Sequence, residues 1–158
     1  MKNTSLNIFF SCLLLPVFFS CDKKVPEKKT AVHRPDDIVF ISMSHIGGHL
    51  GNYNIIKVTR DSVKAEQGMT ANQTHKEWST PIQADTWKKL TASINVKDLD
   101  YIKSSPSQQS VDGIDETFQI RTPKKSHIYV NSFADTVHYK QFQQLKEQLN
   151  TILPKEYQ

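Results

Sequence analysis

The chain has 158 residues, only two of them cysteine, and a formal net charge of +4. Both cysteines, Cys12 and Cys21, fall in the first 21 residues, so everything beyond is left without a disulfide, a thiol nucleophile or a cysteine metal site. The positive excess is equally local. Residues 22–35 hold five Lys/Arg against two Asp/Glu, whereas residues 36–158 hold fourteen of each. A neutral domain with no basic stripe does not predict nucleic-acid binding.

The chain opens as a secretion leader over residues 1–20. Lys2 supplies the positive start, Ile8–Phe19 the apolar run, and Ser20 the small residue before the cut. That run is too short and wrongly flanked for a spanning helix. Ser20-Cys21 resembles a bacterial lipobox, in which the cysteine becomes the acylated first residue of the mature protein. The resemblance implies a lipid on Cys21 and a cell-envelope address, anchored to a membrane. The outer membrane is the favoured one, on its periplasmic or surface face. Residues 21–37, with Lys23, Lys24, Lys28, Lys29, Pro26 and Pro35, read as a solvated basic tether. Residues 38–158 are of the size of one domain.

Within that domain Ile38–Met43 reads as a buried strand. It runs into His45-Ile46-Gly47-Gly48-His49-Leu50-Gly51-Asn52, a loop or irregular hairpin that holds three of the five glycines. Tyr53–Thr59 is a second strand, and Arg60-Asp61 turns into an alternating third strand, Ser62–Gln67. Gly68–Asn72 is a further loop. In 75–82, Lys76, Trp78 and Thr80 alternate as in an edge strand. Thr80-Pro81-Ile82-Gln83 matches a capping box that would start a helix at 81, with a rival start near 84. Either start leaves Trp87, Leu90 and Ile94 on one buried face. Val96–Ile102 is a turn, Ser104–Ser110 a polar loop, and Asp112-Gly113 a turn signal. Thr117–Thr122 and His127–Phe133 form a hairpin. A last helix is expected from Asp135 as N-cap, with the stripe Phe142, Leu145, Leu149 and Ile152, ending at Pro154. The order predicts an α+β fold: an antiparallel sheet of about five or six strands with two helices on one face.

Candidate chemistry is sparse. His45 and His49 have His-x3-His spacing, but Gly47-Gly48 between them argues against the helix that would bring both rings to one metal, and a third ligand must come from elsewhere. Ser44-His45 lacks a nucleophile elbow. Asp112–Glu116 lacks the calcium-loop spacing and reads as a turn with exposed carboxylates. Trp78 is a contact candidate if exposed. The Gly47-Gly48-x-x-Gly51 loop is no phosphate loop. It reads either as a connection dictated by geometry or as a recognition loop of His45, Gly47, Gly48, His49, Gly51, Asn52 and Tyr53. No catalytic set and no cofactor motif is recognisable.

Gly47, Gly48 and Gly51, then Trp87 and Leu90, then Asp112-Gly113 before Phe118 and Ile120, give an order over most of 38–153 that resembles the emfourin-type domains and related bacterial lipoprotein domains. The resemblance implies an inhibitor of thermolysin-type metalloproteases. This chain departs from that pattern in its lipid anchor and in the histidines beside its glycines. The sequence thus predicts a membrane-tethered, non-enzymatic domain that binds an envelope or secreted protein or peptide. The alternative is a metal- or small-ligand-binding domain using His45 and His49.

Overall fold

The computed structural model describes Arg34 and residues 37–158; the leader, Cys21 and most of the tether lie outside the described residues. Six strands form one sheet: β1 (Phe40–Gly47), β2 (Asn52–Val58), β3 (Ser62–Met69), β4 (Thr74–Pro81), β5 (Ile114–Arg121) and β6 (Ser126–Val130), in the order β4-β3-β2-β1-β5-β6. Every neighbouring pair is antiparallel. Two helices, α1 (Ala84–Ala92) and α2 (Lys140–Ile152), complete the α+β fold. Among the described residues no helix is long and apolar enough to cross a membrane.

Period-two alternation sorts side chains between the faces. On one face Ile41, Met43, Ile56, Val58, Val63, Ala65, Phe118, Ile120 and Tyr129 are buried. The helices cover this face. Trp87 and Leu90 of α1 and Phe142, Leu145 and Leu149 of α2 join the same core. Phe142 stacks on Phe118 with centroids 4.3 Å apart. Beyond α2, Tyr157 packs at 6.3 Å against Trp78 of β4, which is therefore half-buried rather than exposed. The opposite face meets water, as one-sided antiparallel sheets allow. There a charge ladder crosses three strands: Lys57 bonds Glu66 at 2.9 Å, and Lys64 reaches Glu66 at 3.5 Å and Glu77 at 3.0 Å.

Several boundaries differ from the sequence reading. β1 runs on through His45 and Gly47, and β3 through Gly68 and Met69, because the ladder continues past the apolar runs and leaves only four-residue turns. α1 starts at Ala84, with Gln83 as N-cap and no side-chain cap; Pro81 ends β4 instead of opening the helix. Asp135 does accept amide N–H bonds, from Val137 at 3.2 Å and His138 at 3.0 Å. These cap a turn that precedes α2, which begins five residues later, after Tyr139. β5 begins at Ile114, so Asp115 and Glu116 are not exposed turn carboxylates. They are strand residues only 5% and 6% accessible.

Candidate functional site

On the helix-covered face the register aligns side chains into rows across the sheet. Thr80, Val63, Val58, Ile41, Ile120 and His127 form the first, and Trp78, Ala65, Ile56, Met43, Phe118 and Tyr129 the second. The third turns polar: Lys76, Gln67, Asn54, His45 and Glu116. Thr74, Met69, Asn52, Gly47 and Ile114 make the last, at the rim. The polar row and the rim line an open groove of about 310 Å³, with His45 at one end and Lys76 at the other. Its amides are not all satisfied: Asn54 Oδ1 is buried and has no hydrogen-bond partner among the described residues.

Glu116 fixes the His45 end. Its carboxylate accepts from His45 Nε2 at 3.1 Å, from the Lys146 ammonium of α2 and from the Tyr139 hydroxyl. Burial pushes this carboxyl up, but the bonds from His45, Lys146 and Tyr139 outweigh it and hold it at about 2. Ionised, it can only accept, so His45 presents Nε2–H to it. Burial, then the bond to this carboxylate, pushes the Tyr139 phenol well above its ordinary value. Among the described residues no hydroxyl or thiol bonds His45, and Ser44 lies on the opposite face, because adjacent strand residues alternate. The two therefore form no nucleophile–base pair.

Behind this end, fully buried Asn131 holds two acids at once. Its Oδ1 accepts from Glu116 N at 2.9 Å, and its Nδ2 donates to Asp115 Oδ1 at 2.7 Å and to Pro106 O at 3.1 Å. Ser107 and the Gln108 amide complete the shell of Asp115. The Ser107 hydroxyl leads in lowering this carboxyl, burial opposes it, and the Gln108 and Asn131 bonds lower it further. Loop 104–113 is thereby pinned along β6 and over the end of β1, where Gln109 Nε2 donates to Ile46 O at 3.2 Å.

Three turns meet at the rim. Gly48 N donates to Gly113 O at 3.0 Å, and Thr70 N and Ala71 N donate to Gly51 O and Leu50 O at 3.0 and 3.1 Å. Gly47 is required for this approach: its φ is +138°, and a Cβ there would lie 2.2 Å from Gly113 O. The rim leaves Ile46, Leu50, Val111 and Ile114 exposed. This apolar tip lies at the far end of β1 from Ile38, roughly 25 Å away for an eight-residue strand.

The candidate residues named from sequence thus separate. His45 and Asn52 reach the groove; Tyr53 borders it, but its ring stacks on His75 at 6.2 Å on the opposite face, and Gly47, Gly48 and Gly51 shape the rim. His49 is exposed and faces Asp112 at 3.8 Å, a different acid from the one that holds His45. Among the described residues no group of three or more His, Cys, Asp or Glu is arranged to hold a metal. Asn54, Gln67, Asn131 and Lys146 are site residues that the sequence reading does not name, while Lys76 enters it only as an edge-strand residue and Glu116 only as a turn carboxylate. For Glu116 the signal is the period-two alternation of Phe118-x-Ile120 continued backward, as Ile41-x-Met43 continues to His45. The chain matches no protein-family model and no curated protein in sequence.

Proposed function

We propose that this protein is a membrane-tethered envelope lipoprotein whose domain binds a protein or peptide partner at its tip and performs no chemistry of its own. One observation carries the reading: Leu50 and Val111 on the turns, and Ile46 and Ile114 at the strand ends those turns join, all stay exposed where backbone bonds lock the turns together. Exposed apolar groups on a rigid frame bordered by polar side chains suit association, because little order remains to be lost on binding. The amide-lined groove beside the tip adds polar specificity. A lipid on Cys21 would keep the domain near the membrane through the tether that leads into β1.

A photo-reactive residue at Leu50 or Ile114 in the membrane-held full chain should give a discrete protein adduct, and one at Thr86 on α1 should not. Equal labelling at all three positions would overturn the tip as the contact. The emfourin-like resemblance makes a thermolysin-type metalloprotease the first partner to try. Unchanged cleavage of a reporter peptide at micromolar domain would remove that narrower version.

A further inference from the structure

The two edges of the sheet are treated differently. At β6 the chain itself closes the outer backbone at Val130, where Val130 N donates to Ser104 Oγ at 3.0 Å and Ser105 N donates to Val130 O at 2.9 Å, and leaves only the short stretch around Ile128 without a backbone bond among the described residues. β4 is the other edge, and among the described residues no backbone bond reaches its outer side. The phase of that edge follows from one bond. Ile82 N donates to Asp61 O at 3.2 Å, so in this register the bonded pairs are Val63–Thr80, Ala65–Trp78, Gln67–Lys76 and Met69–Thr74. The N–H and C=O of His75, Glu77 and Ser79 therefore point outward, and all three residues are exposed. Strand edges left open in this way accept another strand, unless bulges, coverage or charges prevent it. Here the edge is regular over eight residues, and its Lys76, Glu77 and terminal Pro81 turn away strands of like charge and bound the open stretch without covering it.

We infer that the β4 edge takes up an extended peptide segment of a partner as a seventh strand, with an acidic side chain of that segment set beside Lys76. The inference rests on the partner-binding reading above and supplies its chemistry. Backbone groups at His75, Glu77 and Ser79 give affinity without sequence preference, and side-chain sites flanking the edge give selectivity, as in other strand additions. The selective site is Lys76. It stands at the open end of the groove and makes no ion pair among the described residues, whereas Glu77 on the other face already has Lys64 at 3.0 Å. A second copy of this chain fits less well. The residues of β4 on the Lys76 face are Thr74, Lys76, Trp78 and Thr80. None is acidic, so no antiparallel register of β4 on itself opposes Lys76 with a carboxylate. The register centred on Glu77 sets two like charges face to face, which is unfavourable. The one centred on Trp78 sets Pro81, without an N–H, against His75. A side chain long enough to pass Lys76 enters the groove, where Asn54 Oδ1 lacks a donor.

The test uses the full chain in detergent and a synthetic strand-forming peptide, with glutamates on one face and threonines on the other, beside its lysine-for-glutamate counterpart. The glutamate peptide should slow hydrogen exchange at the His75, Glu77 and Ser79 amides and leave Lys76 and Trp78 unchanged. The lysine peptide should bind at least about tenfold more weakly. Glu77→Pro removes an outward N–H that no bond in the fold uses, so it should keep the far-ultraviolet spectrum while losing the peptide. Glu77→Gln keeps that N–H and should retain binding. Absence of protection by the glutamate peptide, or equal binding by Glu77→Pro, overturns the inference. So does edge protection that grows with protein concentration alone, which would assign the edge to a second copy. Tip adducts that persist beside an unresponsive edge would sink the strand addition and leave the tip reading standing.

Discussion

Glu116→Gln is the substitution whose consequence can be worked furthest. The carboxylate is buried beneath three donors, and its pKa falls from the ordinary 4.5 to about 2. Each tenfold change in proton affinity is worth about 1.4 kcal/mol, so the folded state gains roughly 3 kcal/mol from the ionised form. The sign follows from the direction. A depressed folded pKa means that this stabilisation is fully present above 4.5 and is lost as pH falls from 4.5 toward 2. Glutamine is isosteric but neutral, and its amide turns N–H groups toward the Lys146 and His45 donors. At pH 7 the variant should unfold about 3 kcal/mol more easily, and near pH 2 the two proteins should converge. Urea titrations at pH 7, 4 and 2.5, read by the fluorescence of Trp78 and Trp87, measure this directly. Other acids with lowered values, such as Asp115 and Asp135, titrate in both proteins and cancel in the difference. A difference that stays constant from pH 7 to pH 2.5, or is absent at pH 7, would refute the assignment of Glu116 as an ionised, donor-held group.

Gly47→Ala should cost about 3 kcal/mol, because the added Cβ meets Gly113 O in a backbone region that L residues avoid, whereas Gly48→Ala, whose nearest contact is at 3.4 Å, should cost about 1 kcal/mol. Equal midpoints for these two in thermal unfolding would contradict that account of the rim. Asn131→Ala should lose about 3 kcal/mol by leaving Glu116 N and Asp115 short of partners. It should also make loop 104–113 the first site of protease cleavage, which mass spectrometry of the fragments would locate. Cys21→Ala should shift the protein from the membrane to the soluble fraction on ultracentrifugation, since the acyl chains would be the anchor; continued sedimentation with membranes would argue against lipid attachment.

Much of the architecture was legible because burial imprints its period on sequence. Trp87, Leu90, Phe142, Leu145 and Leu149 recur at helical spacing, and Ile41, Met43, Phe118 and Ile120 alternate, so an antiparallel sheet with both helices on one face followed from the chain alone. The ends of elements were less legible. Alternation that passes from Met43 to His45, or from Phe118 back to Glu116, no longer looks apolar, although the ladder continues. That is why Asp115 and Glu116 read as exposed turn acids until β5 and loop 104–113 enclosed them. His45 and His49, four apart in sequence, looked like one pair. The turn at Gly48 sends them instead to Glu116 and Asp112. Composition, the charge-neutral domain and the candidate cysteine for anchoring belong to the sequence itself, since they depend on which residues are present and in what order. The polar row from Lys76 to Glu116 and the interlocked tip came only from the fold, as did the hydrogen-bond phase at β4, whose alternation alone already read as that of an edge strand. Each joins residues far apart in the chain, and the strand register alone decides which side chains stand side by side.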